Sequence, residues 1–587
     1  MILLIPAIML AAVASQADPG AGAEGAAGEG RPNIVLIVVD ALRPDHLGCF
    51  GYHRPTSPNI DRLAAAGVVF ETAITQASYT RASFPSFLTS LYPFQHGVTN
   101  WESALPEDLV TLPQALKEMG YHSAAVVHAT VLGEKFGILR GFDEEHFILP
   151  GRRGSEKMSN AAIDAIRQAP EPFFVMLHLF DAHKPYSPGK KYVDAVRGDS
   201  KAEPFRWSSR DYIGIAEKPE PGQLEGELLL YDASIRYADH GIGRVLEQLE
   251  ASGLLERTLV VITADHGESF WEHGRPMHST NVYDEVARVP LVFSYPGRFK
   301  EPLRIRDQVR LIDLFPTFVD ISGGTPPGQC EGTSLLGMIE GEKREDRPGT
   351  FLPLEMALTE CTTPWALAMR CLRTVDYKLL VESVTATTEL YDLNADPGET
   401  RNIFGTGIAL EDSLAAKMDE IPGVPLRGWR IGFTGGRDTV SFQCEIDLPY
   451  GGRITTLELL TGRDSGALMI GADSTSCTFS CRVGGLDLLL LDTRPGTVPV
   501  RFSLTDPGNV LESVMLGTSD ARPSTEAFMV DTESGLGTPE SFDRNRWSGT
   551  PGAHVWWLPG QQLARPGPTQ ALTPEEVDRL KSLGYIN

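Results

Sequence analysis

The chain has 587 residues, 42% of them hydrophobic and 22% charged. Those are ordinary proportions for a soluble globular protein, and the length exceeds what one hydrophobic core supports. A formal net charge of -25 argues against nucleic acid and anionic membrane surfaces as partners, because both need a basic face. An anionic substrate would have to be held by a local site, against the field of the whole protein.

The first stretch, "MILLIPAIMLAAVA", is apolar but short for a membrane span. Ala12-Val13-Ala14 or Ser15-Gln16-Ala17 would suit signal peptidase. We read residues 1–17 as an export signal, with an uncleaved N-terminal anchor as the other option because no Lys or Arg precedes the apolar run. Residues 18–30, "DPGAGAEGAAGEG", read as a flexible linker. The expected location is therefore periplasmic or extracellular. The seven cysteines are an odd number, so not all can pair within the chain. Cys477 and Cys481 are close enough in sequence to suggest one disulfide, or else buried thiols.

"NIVLIVVD", residues 33–40, is a β-branched apolar run closed by an acid, the pattern of a buried parallel strand with Asp40 at its carboxyl end. In "SPNIDRLAAAG", Ser57 is placed to N-cap a helix that Pro58 opens and Gly67 stops. "PFFVMLHLFDAH" repeats the strand pattern and ends in Asp181 and His183; "TLVVITADHGES" repeats it again and ends in Asp265 and His266. A helical segment, "SIRYADHGIGRVLEQLEASG", precedes that last strand. Alternating strands and helices predict an α/β/α sandwich with a mostly parallel sheet. Ligands bind such sheets beyond the carboxyl ends of the strands, where these acids fall.

After residue 405 short alternating runs are broken by Gly, Asp and Pro, which predicts a β-rich, sandwich-like domain over 426–520. Residues 521–587 read as an extended tail ending in a short helix, "LTPEEVDRLKSLGY", with Thr573 and Glu576 as a capping box.

Several blocks together carry a resemblance. "RPNIVLIVVDALRPDHLGCFGYHRPTSPNIDRLAAAG", "FLTSLYPFQHGV", "FFVMLHLFDAHKPYSP", "TLVVITADHGESFWEHG", "YDEVARVPLVFSYPG", "LIDLFPTFVDISG" and "ELYDLNADPGETRNI" follow one another between about residues 31 and 405. In this order they resemble the sulfatase family of the alkaline phosphatase superfamily, and the resemblance implies that fold for 31–405, with a C-terminal β-rich addition.

It also implies a site. Asp40, Asp265 and His266 offer hard oxygen donors and an imidazole suited to one divalent metal ion, Mn, Mg, Zn or Ca. Sulfatases carry a Cys or Ser followed by x-Pro-x-Arg, which is oxidised to formylglycine. Aligning "SFLTSLYP" with the family's helix places Thr80 at that position and Phe84 where the Arg would stand. Oxidising the secondary alcohol of Thr80 would give a ketone, not an aldehyde, so Thr80 is expected to act as a metal-bound nucleophile itself. Threonine nucleophiles resemble those of phosphodiesterases, phosphonate-cleaving enzymes and phosphoryl-group transferases of the same superfamily. Ser83 and Ser86 are the alternatives if Thr80 fails.

By the same resemblance His183, Lys184 and His278 would hold the non-bridging oxygens or the leaving group, with His273 a weaker candidate. Position 41, where many sulfatases have a second Asp, is Ala. That loss of an oxygen ligand tilts the choice of metal from Ca toward Mn, Mg or Zn. The family's "GKWHLG"-like stretch has no convincing copy, and His128 is the nearest substitute. Spacing for a second metal is absent, so one metal is expected.

The expected function is metal-dependent hydrolysis of a sulfate or phosphate ester, with an anionic ester, such as one on a glycan, as substrate. The alternatives are a phosphoryl-group transferase acting on glycans or lipid head groups, and a non-catalytic binder of anionic glycans.

Overall fold

The computed structural model describes residues 30–99, 103–128, 132–148, 154–206, 219–341, 356–361, 369–382 and 387–421, short strands between 428 and 558, and Thr573. The expected export signal, nearly all of the linker and the closing helix lie outside the described residues.

An eight-stranded sheet forms the centre. Its strands are β1 (Asn33–Val39), β2 (Val68–Ile74), β3 (His122–His128), β4 (Glu144–Ile148), β5 (Phe173–Leu179), β6 (Thr258–Thr263), β7 (Arg288–Ser294) and β8 (Leu303–Arg310). The order is β4-β3-β5-β1-β6-β7-β2-β8. All neighbours run parallel except β7, which is antiparallel to β6 and β2. β1, β5 and β6 are buried along their whole length, which is why their sequences are apolar without alternation. Val38 pairs with His178 on one side and Thr263 on the other, so Asp40, the end of β5 and Asp265 come out at one edge.

Four helices matter for the site: α1 (Pro58–Ala65), α2 (Thr80–Thr89), α3 (Gly154–Gln168) and α4 (Pro221–Ala251). α4 packs on α1 and α3 through a row of buried residues, Leu230, Ala233, Tyr237, Gly241, Val245 and Leu249, at helical spacing. Gly241 is required by that packing, since a Cβ there would lie 2.6 Å from Ser159 Oγ. The layered α/β arrangement is the predicted one. One detail differs. Ser57 bonds Asp61 at 3.0 Å instead of capping α1; Asp239 of α4 accepts the Asn59 and Ile60 amides at 3.0 and 2.9 Å. A buried carboxylate on the packed neighbour satisfies the helix start better than a local hydroxyl.

A second sheet contains β9 (Ala357–Cys361), β10 (Met369–Arg373), β11 (Tyr377–Glu382) and β12 (Thr387–Asp392), all antiparallel. Leu414 and Met418, of the helix Ala409–Glu420, share a core with Leu358, Leu372, Leu379 and Leu390 of this sheet. The packed core of this sheet thus includes residues up to Ile421. Strand β9 also holds the approach to α2: Ser78 N–H donates to Glu360 O at 3.3 Å and Glu360 N–H to Gln76 O at 3.0 Å.

Beyond 428 a six-stranded and a five-stranded sheet form, the β-rich domain that the alternation predicts. Strands Ser519–Arg522, Phe528–Val530 and Gly552–Leu558 belong to them. Cys477 and Cys481 lie in one strand, Ser476–Val483. Four residues of extended chain separate their Cα atoms by about 13 Å, beyond disulfide reach. The suggested pairing of these two is thereby corrected. Among the described residues, no helix is long and apolar enough to cross a membrane.

Candidate active site

Thr80 is the first residue of α2. Its Oγ1 lies 3.4 Å from Asp40 Oδ2 and 3.2 Å from His266 Nε2. His266 Nε2 is in turn 3.5 Å from both Asp40 Oδ1 and Asp265 Oδ2. Four side chains separated by up to 226 positions thus meet at the sheet edge, all fully buried. His266 Nδ1 sits 2.9 Å from the Gly267 carbonyl, which only accepts. That nitrogen carries the proton, so the Nε2 lone pair faces the carboxylates.

Among the described residues, Asp40 Oδ1 and Asp265 Oδ2 are buried without a hydrogen-bond partner. Burial first, and then the neighbouring Asp265, push the Asp40 carboxyl well above the usual carboxylate range. Two acids and a lone pair, crowded without an internal cation, fit a bound divalent metal. The residues present therefore suit the group that the resemblance implies.

His178, in β5, was not singled out by the sequence. Its Nε2 is 3.2 Å from Asp40 Oδ2, and burial lowers its pKa to about 4. Asp40, His178 and Asp265 each present a donor atom within 4.8 Å of the others. The available signal was one polar residue in the apolar run "FFVMLHLF".

A second ring of side chains adjoins these. The His278 ring lies 4.3 Å from that of His266 and 4.8 Å from that of His183. His278 Nδ1 is 3.1 Å from Glu268 Oε1, and Tyr186 donates to the other Glu268 oxygen at 3.0 Å. His183 Nδ1 bonds the Lys184 carbonyl. Burial above all holds both His183 and His278 well below the usual histidine range, so each ring is neutral at pH 7. Lys184 Nζ pairs with Glu227 of α4 at 3.0 Å.

Other candidates are engaged elsewhere. Ser83 donates to the Asp265 carbonyl at 2.7 Å, and Ser86 bonds the Ala82 carbonyl and His96, both at 3.0 Å. His273 bridges Glu285 and the Glu399 carbonyl and stacks on Tyr283. His128 stacks on Phe180, which stacks on His183. Asp181, expected at the same strand-end edge, accepts from Ser155 Oγ at 2.6 Å at the start of α3. It serves a helix terminus.

A mostly parallel sheet with acids and histidines at its strand ends is the layered α/β arrangement of the sulfatase fold. A family model, Sulfatase, matches residues 32–324, and a second, N-sulphoglucosamine sulphohydrolase, C-terminal, matches 272–421. The chain belongs to the sulfatase family and is an ester hydrolase; this family depends on a metal ion.

The chain is similar to an N-acetylglucosamine-6-O-sulfatase of Bacteroides thetaiotaomicron, 24% identical over 467 residues, 64% of this chain and 83% of the relative. It is also 24% identical to mouse iduronate 2-sulfatase, over 63% of this chain and 90% of that one. Two solved structures share the fold. One is a complex with its substrate D-glucosamine-2-N,6-O-disulfate, with TM-score 0.56 and 22% identity over 66% of this chain and 97% of that one. The other is a phosphonate monoester hydrolase of Agrobacterium radiobacter, with TM-score 0.55 and 20% identity over 66% and 95%.

Proposed function

We propose that this protein hydrolyses a sulfate or phosphate ester with Thr80 as the nucleophile and one divalent cation held by Asp40, Thr80, Asp265 and His266. The observation that carries the reading is the position of Thr80 Oγ1, 3.2 Å from His266 Nε2 and 3.4 Å from Asp40 Oδ2 at the start of a helix. A cation there would screen the anionic ester and lower the pKa of the hydroxyl it touches. The helix start favours negative charge developing on the same oxygen.

The chain's own groups divide the rest of the work. The Thr80 hydroxyl proton passes to neutral His278, whose ring lies beside that of His266, as the Thr80 oxygen bonds to sulfur or phosphorus and the bond to the departing alcohol oxygen breaks. His278, held by Glu268 at 3.1 Å, then gives that proton to the departing alcohol oxygen and returns to its neutral form. His183 and Lys184 orient the non-bridging oxygens. Water then attacks the same central atom, releases the inorganic anion and restores the Thr80 hydroxyl.

A threonine ester has no second hydroxyl on the same carbon to expel it, so this last attack is obligatory. Phosphorus accepts such attack more readily than sulfur, which makes a phosphate ester the second reading that Thr80 itself favours. The named activities of the relatives favour sulfate esters of glycans. Export follows the apolar start of the chain.

The test is a panel of nitrophenyl sulfate, phosphate, phosphodiester and phosphonate, each with varied divalent metals. Thr80→Ala is expected to lower kcat by at least about 10^3-fold and to lose the covalent adduct that mass spectrometry is expected to detect on the wild type. Turnover retained in Thr80→Ala would refute the nucleophile. Added glycerol or sugar that captures the transferred group would indicate the transferase alternative.

A further inference from the structure

We infer that His178 is a further ligand of the same cation, taking the place of the strand-end carboxylate that position 41 lacks. This rests on the reading above and adds to it the coordination that decides the metal.

The resemblance calls for an acid at position 41, but Ala41 stands there, with φ 57° and its amide 3.4 Å from Asp265 Oδ1. Ala41 can offer no side-chain donor. The adjacent strand supplies one. β1 and β5 run parallel with Val38 beside His178, and Asp40 N–H donates to Leu179 O at 2.8 Å. The His178 ring is thereby held level with the carboxylate, its Nε2 3.2 Å from Asp40 Oδ2.

His178 is fully buried, yet among the described residues neither of its ring nitrogens has a hydrogen-bond partner. A buried imidazole left so is costly unless something absent from the chain meets it. Its walls are apolar: Phe84 lies edge-on at 4.8 Å and Phe180 at 6.1 Å. Phe84 occupies the position where the family's motif has Arg. One departure from the family pattern, Phe84, thus packs directly on this histidine, and two others, at positions 41 and 80, lie against Asp265 and Asp40 of the same cluster.

The spacings agree with coordination. Two ligands bound about 2.1 Å from one ion, at tetrahedral to octahedral angles, stand about 3.0–3.4 Å apart. Five pairs, Thr80–Asp40, Thr80–His266, His178–Asp40, His266–Asp40 and His266–Asp265, stand 3.2–3.5 Å apart. Two imidazoles, two carboxylates and a hydroxyl favour Mn, Zn or another transition metal over Ca and Mg.

The experiment uses the full chain loaded with Cu²⁺ as a probe, and pulsed electron paramagnetic resonance counts coordinated imidazoles through their remote nitrogens. The wild type is expected to show two, and His178→Leu one. Calorimetry with Mn²⁺ is expected to show at least about 10-fold weaker binding by His178→Leu. Stripped of metal, His178→Leu is expected to melt no lower than the stripped wild type, because an unpartnered polar ring has been replaced by an apolar group. A lower melting point of that stripped variant would mark His178 as a packing residue and overturn the inference. One imidazole in the wild type, unchanged in the variant, would overturn it while leaving the proposed function intact. Failure of the wild type to bind either cation stoichiometrically would remove the proposed function and this inference together.

Discussion

Two buried clusters of acids sit in this chain, and they are neutralised differently. In one, Asp284 pairs with Arg373 and Lys378, each at 2.9 Å, and Glu399 pairs with Lys378 at 2.8 Å. Burial alone would raise both carboxyls; the two cations beside Asp284 hold it well below the usual range, whereas Glu399, with Lys378 as its cation, is still pushed up by burial to about 7. In the other, Asp40 and Asp265 face two histidines and a hydroxyl, with no Arg or Lys against them among the described contacts, and Asp40 is pushed up. The lesson is one of charge balance. A cluster that carries its own cations is a brace between β10, β11 and the segment before β7. A cluster that lacks them is built to receive one.

The comparison breaks most visibly at Asp265. Asp265→Asn is expected to lower turnover by at least about 10^3-fold while leaving the metal-free protein as stable as the wild type, or more so, because a like-charge contact with Asp40 is removed. Thermal melts of the stripped proteins check this. In the braced cluster the effect falls on stability instead. Lys378→Met leaves Asp284 and Glu399 buried short of a partner and is expected to cost about 3–5 kcal/mol in denaturant titration.

Metal addition sharpens the same contrast. Mn²⁺ at about 100 times its Kd is expected to stabilise the wild type by about 2.7 kcal/mol, and Lys378→Met by the same increment, but Asp265→Asn far less. A smaller effect concerns His96, at the far end of α2. Its Nδ1 accepts from Val98 N–H at 3.1 Å, and burial lowers its pKa from 6.5 to about 3. The unfolded chain takes up this proton below about pH 6.5 and the folded one does not. Stability is therefore whole above that pH and declines toward pH 3, and His96→Gln is expected to flatten the decline by a few kcal/mol at most.

Much of the fold was legible because burial on both faces leaves an unmistakable trace, as in β1, β5 and β6. Asp40, Asp265 and His266 were legible as the polar ends of those runs. Asp181 looked alike and was not, since a strand-end acid serves a site or a helix start equally well, and only its partner, Ser155, decides. His178 escaped notice for the opposite reason: it stands within the strand, where an apolar run invites the eye to pass over one polar residue. The pairing of Lys184 with Glu227 joins a loop to a helix 43 positions on, and nothing local announces it. The strands after residue 520 were hard to read because they are short and interrupted by Gly, Pro and Ser, although they still pair.

Position 80 carries its oxygen as translated. On the proposed reading, with Thr80 as the nucleophile, that side chain needs no rebuilding, and the pocket lacks only its metal once the chain folds. Recombinant material from any host should arrive with every molecule bearing the same reactive group, whether or not the host has the modifying machinery, and whether or not oxygen was present during growth.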